Sequence, residues 1–194
     1  MKVLYLSAVT IVGFVLVYFF WPNNQELPVL TSIEEVKLES IDKDGYRWDN
    51  SKIKVVSFFY TNCPDICPLT LGDMSKLQNH LKEEGLFGDR VELVSITLDP
   101  QVDTIQKIKG YSKLYNADGK GWEWLTGSEK QVTKVASNFQ MQFQKSEDGF
   151  VTHGTKLYLL DERLRIRGVY DMATRKNKVD TDKVMEEIRM LLKE

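Results

Sequence analysis

Two cysteines, Cys63 and Cys67, stand four positions apart in Thr61-Asn62-Cys63-Pro64-Asp65-Ile66-Cys67-Pro68, and the 194-residue chain has no others. At i and i+4 both sulfurs face one side if the turn between them is helical. The segment follows an apolar run, Val55–Tyr60, and precedes Met74, Leu77 and Leu81 at helical spacing. The pair therefore falls at a strand-to-helix junction, where free helix amides and the helix dipole stabilise a thiolate. Pro64 and Pro68 stiffen that turn, because proline is tolerated in a first helical turn and presets φ. Two adjacent thiols can exchange disulfides, bind a soft metal or form a structural bridge. Dedicated exchange enzymes usually have two residues between their cysteines; three intervene here, which leaves space for a metal between the sulfurs. Metal chemistry would need a third donor, since thiolates select Cu(I) and an added imidazole also suits Cu(II). A structural zinc site would want four ligands, and two histidines complete the supply of soft donors.

Those histidines are His80 and His153. His80 lies mid-helix among Gln78, Asn79, Lys82 and Glu83 and reads as a solvated surface residue. His153 follows Glu147-Asp148-Gly149, which is turn chemistry, so its segment reads as a loop before a strand. By spacing alone it is either a ligand or a hydrogen-bonded loop histidine. Met74, Met141, Met172, Met185 and Met190 are scattered and fit ordinary packing better than thioether ligation.

The elements that must position these groups follow from patterning. Val36–Ile41 and Tyr46–Trp48 flank Asp44-Gly45, a hairpin turn. Val55–Tyr60 and Val91–Leu98 are short apolar runs of the kind buried on both faces of a sheet. A helix follows the cysteines and stops at Gly85. Asp103 with Gln106 reads as a capping box opening a helix to about Tyr115, and Ser128 with Gln131 opens another to about Phe139. Lys156–Leu160 and Ile166–Tyr170 are strands, and Val184, Ile188 and Leu191 mark a C-terminal amphipathic helix. A βαβ unit followed by ββα, with extra helical material between, is the thioredoxin plan: an α/β fold with a central mixed sheet flanked by helices, here with an N-terminal hairpin. The cysteines would lie at the carboxyl end of a central strand, where open α/β sheets place ligands.

Val3–Trp21 contains no charged residue, and its 19 residues would rise roughly 28 Å as a helix, close to a bilayer core. With Lys2 on one flank and Tyr18 and Trp21 near the other, it reads as a single-pass transmembrane anchor, N-terminus inside. Phe20-Trp21-Pro22 is not a small-residue cleavage site, and a lipoprotein signal would need a cysteine before Cys63. The expected organisation is an anchor at 1–21, a tether at 22–30 and one domain at 31–194. The balance of 26 Lys+Arg against 28 Asp+Glu gives no support to nucleic-acid binding, and 42% hydrophobic residues exclude a disordered chain.

On these residues the chain resembles the Sco/SenC copper proteins. FFYTNCPDICPLTLGDMSKL matches the family's strand, T-x-C-P-x-x-C-P and helix. The Asp44-Gly45 hairpin, SITLDPQVDT (Ser95–Thr104), WEWLTG (Trp122–Gly127) and VTHGTKLYLLDERLRIRGVYD (Val151–Asp171) agree in order, over about residues 36–192. The resemblance implies a thioredoxin-like fold that binds one copper ion, Cu(I) or Cu(II), through Cys63, Cys67 and His153. It also implies a metallochaperone that assembles the dinuclear copper centre of cytochrome c oxidase subunit II, and it fits a bacterial cell-membrane protein whose domain is extracytoplasmic. Asp99 matches a family carboxylate near the metal, which would act behind the ligands; alternatively Asp99-Pro100 simply ends a strand. The family commonly has Asp-His-Ser around the histidine, where this chain has Thr152-His153-Gly154. Its D-P-x-G turn is Asp161-Glu162-Arg163-Leu164 here.

The rival function is a membrane-anchored thiol-disulfide oxidoreductase acting on the acceptor's cysteines, with Cys63 as attacking thiol. A peroxidase would need an arginine beside its cysteine, and none can be placed. A structural disulfide is the least informative reading, since an i,i+4 bridge closes too short a loop to stabilise much.

Overall fold

The computed structural model describes Gly13 and residues 26–42, 45–48 and 51–194. Apart from Gly13, the expected anchor and the first part of the tether lie outside the described residues, as does Asp44. Among the described residues no helix is long and apolar enough to cross a membrane.

The chain builds strands β1 (Thr31–Ser32), β2 (Glu39–Ser40) and β3 (Ile53–Phe59), helix α1 (Ile66–Glu83), β4 (Val91–Thr97), α2 (Ile105–Lys113), β5 (Trp122–Thr126) and α3 (Glu129–Asn138). It continues with β6 (Phe143–Lys145), β7 (Val151–His153), β8 (Lys156–Leu160), β9 (Arg165–Asp171) and α4 (Thr181–Leu191). Seven strands form one mixed sheet in the order β1-β9-β8-β3-β4-β5-β2, and β6 and β7 form a separate hairpin. β3, β4 and β5 are parallel, while β8 joins β3, and β9 joins β8, antiparallel.

Every residue of β3 and β4 is buried, as mostly apolar strands covered on both faces are, and the polar Ser57 and Ser95 hydroxyls within them bond each other at 3.1 Å. Successive side chains point to opposite faces. Phe59 stacks on Tyr111 of α2 and meets Trp124 edge-on, whereas Phe58 packs on Phe139, at the end of α3, and on Tyr158. Helices therefore cover both sides of the central strand. The C-terminal helix, α4, packs against α1 through a stripe of Val184, Met185, Ile188 and Leu191. Met74, Met141, Met172 and Met185 are buried as packing residues.

Several expectations are corrected. The middle of the chain is not only helical, because β5 intervenes between α2 and α3. Its five residues are buried, but Glu123 interrupts the apolar run, and this carboxylate is accommodated by accepting from Ser40 Oγ at 3.0 Å. Among the described residues the N-terminal hairpin closes through a bridge between Leu38 and Tyr46, with Gly45 at φ +91°. β2 then extends the sheet by pairing with β5. The helix after Asp103 is capped by Thr104, whose hydroxyl accepts from the Lys107 amide at 3.2 Å, and it ends at Lys113. Asp103 is drawn into the interior instead. The capping box at Ser128 and Gln131 forms as read, and Gly85, at φ +68°, follows the end of α1.

Within the stretch expected to be a tether, Leu30 donates to Ile166 O at 2.9 Å. Arg167, 3% exposed, donates to Leu27 O and Pro28 O and pairs with Asp161 at 3.0 Å and Glu194 at 2.7 Å. This buried guanidinium joins the N-terminal strap, the β8–β9 turn and the C-terminus.

Candidate metal and thiol centre

β3 delivers its chain to the carboxyl edge of the sheet, and Tyr60 O accepts from the Cys63 amide at 3.1 Å to begin the turn. α1 starts with Asp65 at its N-cap position, yet the Asp65 side chain makes no capping bond; it pairs with Arg175 at 3.2 Å. The acceptor for the free amides is sulfur: those of Asp65 and Cys67 donate to Cys63. Helix N-termini leave such donors unsatisfied, and a thiolate is well placed to take them.

The two thiols share one proton. Cys67 donates to Cys63, and this bond is the largest influence pulling Cys63 down to about 4; burial opposes it, while His153 and the two amides assist. Cys67 is pushed far above the ordinary thiol range by that same hydrogen bond, then by burial and the negative charge of Cys63, with a smaller contribution from Asp103. Cys63 is the partly exposed thiolate and Cys67 the buried thiol, and no disulfide joins them.

His153 approaches from a different element. Its Nε2 lies 3.8 Å from Cys67 Sγ, and its Nδ1 is 2.8 Å from Gly154 O. A carbonyl only accepts, so Nδ1 donates to Gly154 O, which leaves Nε2 as the ring nitrogen turned toward the sulfurs. The histidine is the last residue of β7, opposite Phe143 of β6, and not part of a loop. The strands FQK and VTH are too short and polar to show a period, although Gly149, at φ +83°, marks the turn between them. The Thr152-His153-Gly154 departure has a physical basis. Thr152 points outward and is exposed, and Gly154 O orients the imidazole in the absence of a neighbouring acid. A Cβ on Gly154 would stand 2.9 Å from the Met141 sulfur, which occupies the space a serine would need.

Cys63, Cys67 and His153 are thus brought together. Asp99, 3% exposed, binds Lys145 at 2.7 Å; the carboxylate whose charge bears on Cys67 is Asp103. His80 is exposed in the last turn of α1. Among the described residues no three Cys, His or carboxylate groups already stand at the spacing of a filled metal site.

Two contributors were missed in the sequence. Asp103, 1% exposed, accepts from the Thr61 amide at 3.0 Å, from the Thr61 hydroxyl and from Thr97 Oγ1 at 2.6 Å, so it braces the turn that carries Cys63. Tyr60 lies edge-on to His153 with ring centroids 6.1 Å apart. Its hydroxyl is buried with no hydrogen-bond partner, and burial and then the Cys63 charge hold its ionisation above the usual tyrosine range. A hydroxyl closing the otherwise apolar run VVSFFY was the available signal.

A thioredoxin-like sheet with a proton-sharing dithiol and an imidazole at the end of its central strand defines a class: proteins that exchange disulfides or hold a soft metal. Within that class the chain belongs to the SCO1/SenC family, whose profile matches residues 39–193. It is 32% identical over 148 residues to the mitochondrial SCO1 homolog 1 of Arabidopsis thaliana, covering 73% of this chain and 42% of that protein. It is 30% identical over 146 residues to the SCO1 homolog of Bacillus subtilis, covering 72% of this chain and 70% of that protein. The chain spans 62% of a SCO2-like protein of Rickettsia conorii, at 29% identity. Among solved structures, a SCO1/SenC family lipoprotein from Bacillus anthracis superposes with a TM-score of 0.77 at 29% identity, over 85% of this chain and 97% of that one. Arabidopsis ScoI with copper bound gives 0.67 at 30% identity, over 81% and 98%.

Proposed function

We propose that this chain is a copper metallochaperone for assembly of cytochrome c oxidase, holding one copper ion between Cys63, Cys67 and His153 and passing it to subunit II. The observation that carries the reading is the orientation of His153: its bound Nδ1 leaves Nε2 free toward Cys67 at 3.8 Å. Two sulfurs and an imidazole are a donor set that suits copper in either oxidation state. The relative solved with copper bound adds support. Copper takes the place of the proton between the sulfurs, and that proton leaves to solvent. The acceptor's cysteines then replace the ligands one at a time, so transfer is ligand exchange and needs no general acid. In this reading residues 1–21 anchor the chain as one span of a bacterial cell membrane, the tether reaches the domain at the Leu27–Leu30 strap, and residues 31–194 work on the extracytoplasmic side.

The test is a Cu(II) titration of the reduced domain. One equivalent produces sulfur-to-copper charge-transfer absorption, lost in Cys63→Ser and Cys67→Ser and weakened in His153→Ala. Unchanged copper affinity in all three variants refutes the reading.

The depressed Cys63 favours a second reading, a thiol-disulfide oxidoreductase. Its thiolate would attack an acceptor disulfide, and Cys67 would resolve the mixed disulfide, leaving the acceptor's two thiols reduced and a disulfide between Cys63 and Cys67. Cells lacking the protein separate the two: restoration of oxidase by added copper supports delivery, and restoration by a reductant supports thiol chemistry.

A further inference from the structure

We propose that Lys145 is a positioning residue: bound to Asp99, its ammonium clamps the β6–β7 hairpin to the sheet and holds His153 beside Cys67 before any metal arrives. The proposal rests on the reading of His153 as a ligand.

β6 and β7 pair with each other and not with the seven-stranded sheet. An isolated two-stranded hairpin is marginal in water, so its position depends on what ties it to the domain. In its register Phe143 faces His153 and Lys145 faces Val151. Residues two apart share a face, so Phe143, Lys145, Val151 and His153 form the inner face. Val151 is buried there, and Lys145 Nζ reaches Asp99 Oδ1 at 2.7 Å. The aspartate is 3% exposed while the lysine side chain is 35% exposed, so the fixed partner belongs to the turn that follows β4 and the clamping one to the hairpin.

Asp99 is itself well held. Its amide donates to Thr97 Oγ1 at 3.0 Å, and its carbonyl accepts from Val102 N and Asp103 N at 3.1 and 2.8 Å. The turn from Asp99 to Asp103 therefore grips both halves of the site. Asp103 holds Thr61 and with it the cysteine turn; Asp99 holds Lys145 and with it the histidine hairpin. Donors 86 residues apart in the chain are set against each other through one five-residue turn.

Lys145→Met keeps the aliphatic stem and removes the charge, and Lys145→Arg restores it. In the metal-free reduced protein, amide hydrogen exchange reads the clamp by itself. Lys145→Met accelerates exchange across Phe143–His153 by about tenfold, the worth of one charge-assisted hydrogen bond, and leaves β3 and β4 unchanged; Lys145→Arg reverses it. Copper dissociation then reads the coupling: Lys145→Met speeds release several-fold in the native background and has no further effect on His153→Ala. Unchanged exchange in Lys145→Met overturns the proposal. So does faster exchange accompanied by an equal effect on copper with and without His153, because the lysine then acts through something else. If exchange responds but His153→Ala leaves copper affinity intact, the clamp stands and the ligand assignment falls, so the two failures are distinct.

Discussion

Replacing Asp103 with alanine tests whether the cysteine turn is held by this one buried carboxylate. Its oxygens accept from the Thr61 amide at 3.0 Å, the Thr61 hydroxyl and the Thr97 hydroxyl at 2.6 Å, with Lys107 Nζ at 3.6 Å. Hydrogen bonds to an ionised acceptor contribute about 1.5–3 kcal/mol each, and they are not additive within one group. The Lys107 contact is discounted because that side chain is 37% exposed. Asp103→Ala strands three donors, one of them the backbone amide two residues before Cys63, so the expected loss is about 3–5 kcal/mol. Asp103→Asn retains an accepting oxygen but offers an amide N–H to groups that are themselves donors, and is expected to cost about 2–3 kcal/mol. With a urea m-value of about 2 kcal/mol/M, the alanine variant of the reduced domain should unfold at about 2 M lower urea with m unchanged. A shift below about 0.5 M in Asp103→Ala would refute the reasoning. So would a loss in Asp103→Asn as large as in alanine, since the argument requires that an acceptor at this position retain part of the effect.

The remaining predictions concern charge and burial. Cys63 has its value lowered on folding, so unfolding takes up a proton between about pH 4 and the ordinary thiol range near 8.5. The stability this thiolate contributes is complete above that range and is lost as pH falls through about 4; Cys67, raised on folding, opposes it only above pH ~8.5. Alkylation of the reduced protein should label Cys63 with a midpoint in the acid range and spare Cys67 at neutral pH, and equal labelling of both at pH 7 contradicts the shared proton. Copper capture should release a proton at neutral pH, read as a dissociation constant that falls about tenfold per pH unit; a pH-independent constant rules out displacement of the thiol proton. Arg167→Met leaves Asp161 buried beside Arg165 alone and frees Glu194 and the Leu27–Pro28 strap, for an expected cost of about 3–4 kcal/mol in denaturant unfolding. Tyr60→Phe removes a buried hydroxyl that lies beside Cys63 and Val151 without a hydrogen bond of good geometry and should leave stability unchanged or raise it by about 1 kcal/mol; a loss above that size would show that those contacts are hydrogen bonds.

How much of this was legible depended on whether one local pattern could carry the signal. The cysteine turn was legible because the residues that form it are contiguous: an apolar strand, two prolines and a helical stripe fix its place without reference to the rest of the chain. β3 and β4 were equally plain, since burial on both faces leaves mostly apolar runs, and β8 and β9 showed through Lys156–Leu160 and Ile166–Tyr170. β5 was not, because it is only five residues long with Glu123 among them, and that carboxylate is received by groups remote in the sequence, Ser40 Oγ 83 residues away among them. Asp103 failed for a related reason. Asp and Thr are both good caps, and Thr104 stands beside it, so local chemistry allowed either; the choice was made by Thr61 and Thr97, which arrive from other strands. The orientation of His153 was beyond the sequence altogether, because it depends on a carbonyl one residue on and on where the β6–β7 hairpin sits against the domain.

The pair of cysteines also shows why a single site can invite both metal and redox chemistry. A lone exposed cysteine would stay largely protonated at neutral pH, and two equivalent buried ones would both stay neutral. Here the hydrogen bond from Cys67 is the largest influence favouring charge on Cys63, with His153 and the amides at the start of α1 assisting, and the same bond, then burial, denies charge to Cys67, so the pair settles with one thiolate and one retained proton. That proton fills the position a metal must take. A soft cation can displace it because the second thiolate is stabilised once a positive charge lies between the sulfurs. A disulfide partner meets the same arrangement differently: Cys63 attacks, its negative charge passes to the leaving sulfur, and Cys67 becomes free to ionise. The imidazole serves the two chemistries differently: beside the sulfurs it helps hold Cys63 ionised, which thiol exchange uses, whereas in the proposed copper reading it adds a third donor, which thiol exchange does not need.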